Sequence, residues 1–229
     1  MQTRVTRSQA AALGSVAGAG FGTQPRALRA TDFGRTLPAA DEMWPGQDGL
    51  RQRVLVECLS AFEQASEDAR FHRCAQANMA RWAADAAGAT PQSGRCKVRV
   101  MPGDWGDVTL QMTREYGKTF ACLNMANAFC PGGGYVEGMV AQEENMFRRT
   151  DCHFALDRSD LVDSPYDGYL YEESHTALLS AAEGEVYLDA ERPRVCIRGS
   201  EDRSRKDLGY PWLPDDEVYS FVGLKHLLC

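Results

Sequence analysis

Apolar residues recur at steps of three and four from Leu50 to about Ala87, with arginine, glutamate and glutamine between them. This spacing places the apolar side chains on one face of a helix, so it predicts one long helix or two shorter ones. Residues 88–94 contain glycine and proline, which end the helical pattern. We assign residues 41–95 to a helical N-terminal extension that packs on the core.

Shorter apolar or alternating stretches follow, and they predict strands. The predicted strands are Lys97–Met101, Val108–Met112, Phe120–Met125, Glu185–Leu188 and Arg194–Ile197. The third is a nearly continuous apolar run, as expected for a central strand covered on both faces. Helices are predicted from about Val140 to Arg149 and over Tyr171–Ala182. Strands interleaved with helices indicate an α/β domain with a mixed sheet, and we place this core at residues 96–229.

The first thirty residues carry four arginines and no acidic residue, and they are rich in alanine, glycine, serine and threonine. Such a composition is typical of a disordered tail or of an organellar transit peptide. We therefore assign residues 1–40 to a disordered or targeting tail and exclude them from the fold.

The composition is that of a soluble globular protein, with 44% hydrophobic and 25% charged residues among 229. No apolar run approaches the roughly 20 residues that a membrane-spanning helix needs. The formal net charge of −7 disfavours binding to a nucleic-acid backbone by bulk electrostatics. We expect no membrane insertion and no direct DNA binding, so an anionic ligand must be recognised at a local site.

Eight cysteines are spread along the chain without a CxxC pair or zinc-finger spacing. No secretory signal precedes them, and several lie among apolar residues, as is typical of buried thiols in an intracellular protein. We expect an intracellular, cytoplasmic protein that uses neither a metal nor a cofactor. A nuclear or organellar location is the alternative.

The most informative segment follows the predicted strand Phe120–Met125. Three successive glycines, Gly132–Gly134, remove every Cβ from the loop, so a ligand can lie directly against the backbone. Such a loop can point several N–H groups at an anion, and the N-terminus of the next helix adds a favourable field. The segment is neither a P-loop nor a dinucleotide fingerprint, because the Gly-Lys-Ser/Thr and GxGxxG patterns are absent.

Two adjacent carboxylates, Glu143 and Glu144, lie in the helix after this loop. Neighbouring side chains on a helix point about 100° apart, so the two cannot do the same job. One can face the cleft as an acid or base, while the other fixes the substrate or the backbone.

The order Gly132–Gly134, a seven-residue spacer and Gln142-Glu143-Glu144 resembles the signature of the microbial-type poly(ADP-ribose) glycohydrolases, a branch of the macrodomain superfamily. The Asn-x-Ala-Asn-Ala run before the glycines and the arginine pair after the glutamates also look like this family. The close likeness covers about residues 119–151, and a looser one extends from about residue 96 to the end. It implies a macrodomain-like, three-layer α/β/α fold with a mixed sheet.

The resemblance also implies an activity and a role for each matching residue. The enzyme would cleave the ribose glycosidic bond of poly(ADP-ribose) or of an ADP-ribosylated protein, with no metal. Glu144 would protonate the leaving oxygen and then activate water, and Glu143 would contact a ribose hydroxyl. The implied substrate-binding residues are Asn127 at the distal ribose, Gly132, Gly133 and Gly134 along the diphosphate and distal ribose, and Gln142.

Several neighbouring residues have a structural alternative. Asn127 can instead make local backbone hydrogen bonds in a turn, and Tyr135 can either cover a ribose or pack in the core. Phe129 is predicted to lie in the core. We assign Arg148 and Arg149 to a salt-bridged helix end rather than to phosphate binding.

The resemblance is incomplete towards the C-terminal end. Members of the family have a second glycine-rich loop, of the form Gly-Cys-Gly-Ala-Phe-Gly, after a late strand, and this chain has no such motif. We therefore expect a core that is either incomplete or diverged in its C-terminal part. A non-catalytic ADP-ribose-binding macrodomain, or an inactive fragment, is the alternative to the hydrolase.

Overall fold

The computed structural model describes residues 45–86, 98–127, 129–156, 161–164, 169–173, 176 and 187–227. The predicted tail at residues 1–40 lies outside these ranges. None of the helices within them is long and apolar enough to cross a membrane.

Two helices account for the first helical pattern. Helix α1 spans Gly46–Glu63 and helix α2 spans Ala65–Ala86, with an extended residue, Gln64, between them. The buried side chains follow the expected steps of three and four, as in Leu55, Cys58, Leu59 and Phe62 of α1. The prediction of a helical region is confirmed, in the form of two helices.

Helix α3, Trp105–Tyr116, lies where the sequence predicted the strand Val108–Met112, so that prediction was wrong. Asp104 caps the N-terminus and accepts a hydrogen bond from the Gly106 N–H at 2.8 Å. Gly117 ends the helix in the left-handed region, with φ of 58°, and donates to the Thr113 carbonyl. The β-branched residues of this segment favour a strand, but two helix caps and burial at helical spacing outweigh that preference.

In the part of the chain that the structure describes, the main sheet has three strands in the order β1–β5–β4: β1 is Ala121–Ala126, β4 is Tyr187–Cys196 and β5 is Tyr219–Leu227. Strands β1 and β5 are parallel, whereas β4 and β5 are antiparallel. Two short strands, β2 (Leu161–Asp163) and β3 (Tyr169–Tyr171), form a separate antiparallel pair. The predicted mixed α/β fold is confirmed.

The strand predictions nearer the C-terminus are confirmed where the structure describes them. Of the segment predicted at Glu185–Leu188, Tyr187 and Leu188 lie in β4, and residues 185–186 lie outside the described ranges. Most of the segment predicted at Arg194–Ile197 lies in the same strand, whose pairing with β5 is irregular between Asp189 and Arg194. No element was predicted for residues 219–227, which form β5 in the middle of the described sheet. Strand β5, from the end of the chain, thus pairs with both β1 and β4 and joins them into one sheet.

One further predicted strand is absent from the described residues, and one predicted helix lies mostly outside them. Of the strand predicted at Lys97–Met101, the described residues 98–101 belong to no strand, and Val98 and Val100 are more than nine-tenths exposed. Of the helix predicted at Tyr171–Ala182, Tyr171 ends β3, and residues 174–175 and 177–182 lie outside the described ranges.

Strand β1 alternates between buried and exposed positions, although its apolar sequence predicted cover on both faces. Cys122, Asn124 and Ala126 are buried, whereas Leu123 and Met125 are 44% and 42% exposed. The buried face of β1 is packed against helix α4, Gln142–Arg149. The described residues contain no second layer of helices on the opposite face of β1.

The glycine-rich loop is anchored in one of the core clusters. This cluster joins Leu55 and Leu59 of α1, Ala126 at the end of β1, Tyr135 of the loop and Phe147 of α4. A 3₁₀ helix, Cys152–Ala155, packs beside it. The core thus fixes where β1, the loop and α4 meet.

Candidate functional site

The loop between β1 and α4 depends on glycine for its backbone conformation. Gly132, Gly133 and Gly138 have φ values of 76°, 58° and 76°, which L-residues with a side chain rarely adopt. A Cβ on Gly138 would lie 3.0 Å from the Cα of Asp48, so this glycine also permits close approach to α1. Helix α1 holds the loop directly as well, because Gln52 Nε2 donates to the Val136 carbonyl at 3.2 Å.

Gln142, the first residue of α4, pairs with the backbone of β1. Its Nε2 donates to the Leu123 carbonyl at 2.9 Å, and its Oε1 accepts from the Met125 N–H at 2.9 Å. The side-chain amide thus satisfies two backbone groups at the edge of β1, as a neighbouring strand would. This pairing fixes the start of α4 against the strand.

Glu143 is 2% exposed and accepts three hydrogen bonds. The donors are Asn124 Nδ2 at 3.1 Å, the Asn127 N–H at 2.7 Å and the Gly132 N–H at 3.2 Å. Three N–H groups directed at two carboxylate oxygens suit an ionised side chain. Glu143 therefore ties together β1, the turn after it and the glycine-rich loop.

Glu144 has a different environment, although it is the next residue. Its Oε1 accepts a hydrogen bond from the Gly134 N–H at 3.1 Å. Its Oε2 is buried and has no hydrogen-bond partner in the described part of the protein. A Cβ on Gly133 would overlap Oε1 and lie 3.0 Å from Cδ, so the backbone of the loop lies directly on this carboxylate.

Both carboxylates lie in the first turn of α4, whose N-terminus carries no side-chain cap. The helix dipole there favours negative charge. The sequence prediction that the two side chains point in different directions agrees with their contacts: Glu143 binds β1, Asn127 and Gly132, and Glu144 meets Gly133 and Gly134.

Asn127 and Tyr135, the other predicted ligand contacts, make internal contacts. Asn127 Oδ1 accepts from the N–H groups of Phe129 and Cys130, at 2.9 and 2.8 Å, which is the turn alternative. Tyr135 is 2% exposed, with its ring centroid 4.7 Å from that of Phe147, which corresponds to the packing alternative. Phe129 is 64% exposed, so its predicted burial in the core was wrong.

Arg148 and Arg149 are both fully buried, and Arg149 forms a salt bridge with Asp104, as predicted for this helix end. Arg149 donates to Asp104 at 2.5 Å, to Asn145 Oδ1 and to the Arg198 carbonyl. Arg148 donates to the Met139 carbonyl at 2.8 Å, and burial lowers the pKa of its guanidinium. The pair thus anchors α4 to the protein.

Sequence reasoning missed two residues that shape the site, Asn124 and Gln52. Asn124 was noticed only as part of a family-like run, and an asparagine at a buried position of an apolar strand was the available signal. Gln52 carried no signal, because its partner lies far along the chain. Among the described residues, no three His, Cys, Asp or Glu side chains are grouped as a metal site requires.

Comparisons with known proteins give a family match and a likeness to a solved structure. The family model for the microbial-type PARG (poly(ADP-ribose) glycohydrolase) catalytic domain matches residues 51–187, more than half of the chain. The fold is similar to the crystal structure of poly(ADP-ribose) glycohydrolase from Thermomonospora curvata, at 18% sequence identity and a TM-score of 0.44. That match covers 77% of this chain and 63% of the other, so this chain spans less than two thirds of that protein.

Among curated proteins, no significant match is found. The family model includes β1, the glycine-rich loop and α4, and therefore the whole Gly-Gly-Gly and Gln-Glu-Glu arrangement. The chain belongs to the family of microbial-type PARG catalytic domains.

Proposed function

We propose that the chain is an ADP-ribose glycohydrolase that cleaves the ribose glycosidic bond of poly(ADP-ribose) or of an ADP-ribosylated protein. Glu144 is its catalytic residue. The main support is the contrast between the two glutamates, because Glu143 is occupied by three N–H donors whereas Glu144 Oε2 has none.

A buried carboxylate oxygen without a hydrogen-bond partner destabilises the folded protein by about 1–3 kcal/mol, so its presence calls for an explanation such as a role in the reaction. Helix α4 and the Gly134 N–H hold Oε1 of Glu144, so Oε2 remains available to exchange a proton. A substrate oxygen next to Glu144 Oε2 would supply the missing hydrogen-bond partner. This is why we assign proton transfer to Glu144 rather than to Glu143.

In the proposed reaction, Glu144 protonates the oxygen that leaves the anomeric carbon. The glycosidic bond then breaks through an oxocarbenium-like state. The resulting carboxylate takes a proton from water, whose oxygen bonds to the anomeric carbon. The glycine-rich loop would lie along the diphosphate, since Gly133 and Gly134 present backbone where a side chain would fill the space.

The test compares the release of ADP-ribose from an ADP-ribosylated protein by the wild type, Glu144→Gln and Glu115→Gln. Glu115 is a matched control, because its side chain is exposed and pairs with Arg99 away from the loop. We expect Glu144→Gln to lower kcat by about 10² to 10⁴ and to keep ADP-ribose binding. Undiminished turnover by Glu144→Gln would refute the assignment.

The same experiment separates the enzyme from a non-catalytic binding module. A binding module would give ADP-ribose affinity in both the wild type and Glu144→Gln, with no release of product by either. An inactive fragment would give neither binding nor release.

A further inference from the structure

We propose that His153 is a positioning residue for the glycine-rich loop and acts through Tyr135. The inference rests on the proposed function, because the loop is taken as part of the catalytic site. It assigns a role to two buried side chains that no step of the reaction uses directly.

The ring of Tyr135 lies beneath the loop. A Cβ on Gly132 would be 2.7 Å from both Cδ1 and Cε1 of Tyr135, and 2.9 Å from Cε1 of Phe147. The Tyr135 ring also packs against Phe147 of α4, with ring centroids 4.7 Å apart. Tyr135 thus separates the loop from α4 by a fixed distance.

This distance matters because two loop amides bind the two glutamates. The Gly132 N–H donates to Glu143 at 3.2 Å, and the Gly134 N–H donates to Glu144 at 3.1 Å. Both hydrogen bonds are near the long end of the normal range, so a small rise of the loop would break them. The position of Tyr135 therefore controls how Glu144 is held.

His153 fixes the far end of the Tyr135 ring. Its Nδ1 lies 2.9 Å from the Tyr135 hydroxyl oxygen, within hydrogen-bonding distance. The imidazole is fully buried on the 3₁₀ helix and meets Phe154 edge-on, with centroids 5.0 Å apart. The chain of contacts runs from His153 through Tyr135 to the loop and so to Glu144.

The experiment uses Tyr135→Phe, His153→Leu and His153→Asn in the full chain. Tyr135→Phe keeps the ring packing and removes the hydroxyl, and His153→Asn keeps a polar group near Nδ1. We expect the first two variants each to lower kcat at least about tenfold, since small misplacements near a reacting group are costly. His153→Asn should stay within about threefold of wild type, and KM should change less than kcat in all three.

The double variant Tyr135→Phe/His153→Leu tests whether the two side chains act together. If they do, the kcat of the double variant equals that of the worse single variant, because each single substitution already removes the same hydrogen bond between Tyr135 and His153. Additive losses, or wild-type kcat in Tyr135→Phe, would overturn the inference. Tyr135→Phe retains the packing, so this outcome is measurable even if His153→Leu fails to fold.

Amide hydrogen exchange supplies a measurement that does not depend on turnover. The Gly132 and Gly134 amides should exchange at least about tenfold faster in Tyr135→Phe than in wild type, whereas the distant Gly117 amide, which donates to Thr113, should not change. Unchanged exchange at both loop amides would refute the inference. If the wild type releases no ADP-ribose, the proposed hydrolase fails, and exchange at these amides still decides whether the hydrogen bond between Tyr135 and His153 positions the loop.

Discussion

Gly133→Ala introduces one methyl group at the point where the loop lies on the catalytic carboxylate. The new Cβ would overlap Glu144 Oε1 and lie 3.0 Å from Cδ, with Glu143 Oε2 at 3.5 Å. Glu144 is 7% exposed and fixed on α4, so its carboxylate must rotate away from Gly134. The substitution therefore changes the position of the Glu144 carboxylate without changing any charged or polar side chain.

Two terms contribute to the loss of stability. The backbone of Gly133 has φ of 58°, and a residue with a Cβ costs about 1 kcal/mol there. Breaking the hydrogen bond from the Gly134 N–H to Glu144 leaves a buried polar group without its partner, which costs about 1–3 kcal/mol. We expect the free energy of unfolding to fall by about 2–4 kcal/mol. A displacement of the carboxylate by about 1 Å should lower kcat/KM about a hundredfold.

Gly46→Ala is the matched control. Gly46 has φ of 79°, but a Cβ there would meet nothing within 4 Å, so this variant has the backbone cost without the contact. Urea unfolding and ADP-ribose release would be measured for both variants. If Gly133→Ala keeps wild-type kcat/KM, or loses no more stability than Gly46→Ala, the close contact between the loop and Glu144 does not exist.

Three further predictions concern the rest of the fold. Burial raises the pKa of Asp151 to about 6, so its protonated form stabilises the fold below about pH 4, and this stabilisation is lost as the pH rises through 6. In urea unfolding, the wild type should lose up to about 3 kcal/mol between pH 4 and 7 relative to Asp151→Asn. A stability difference between the two proteins that stays the same across this pH range would contradict the prediction. Burial raises the pKa of Cys58 to about 12 and that of Cys122 to about 11, so neither thiol should react with iodoacetamide at pH 8 until the protein unfolds, as mass spectrometry would reveal. Arg149→Met should lower the free energy of unfolding by about 3–5 kcal/mol, because it leaves a carboxylate partner without its buried cation. Arg205→Met, at an exposed salt bridge, should leave the free energy of unfolding unchanged, and equal losses in the two variants would contradict the account.

The candidate site was the most predictable part of the sequence, for a local reason. Three glycines in a row require a special backbone, and two acidic residues suit the first turn of a helix, so both features follow from neighbouring residues. The positions of Gly132–Gly134 in the loop and of Gln142–Glu144 in α4 match this prediction. The partners of these residues, such as Asn124 and Gln52, come from other elements and could not be deduced in the same way.

The less predictable parts depend on contacts between distant segments. Strand β5 pairs with β1 and β4, and this pairing, rather than a local pattern, makes Tyr219–Leu227 a strand. Segment Val108–Met112 has β-branched residues, yet capping by Asp104 and Gly117 and packing on α2 make it helical. Long-range pairing thus defines β5, whereas caps together with packing decide that Val108–Met112 is helical.

The most direct test of the account is a calorimetric titration of the purified chain with ADP-ribose. The account predicts one saturable site whose affinity persists in Glu144→Gln and is weakened in Gly133→Ala. A folded wild-type chain that gives no binding heat and no competition with a labelled ADP-ribose would contradict the claim that the glycine-rich loop and Glu144 form an ADP-ribose site.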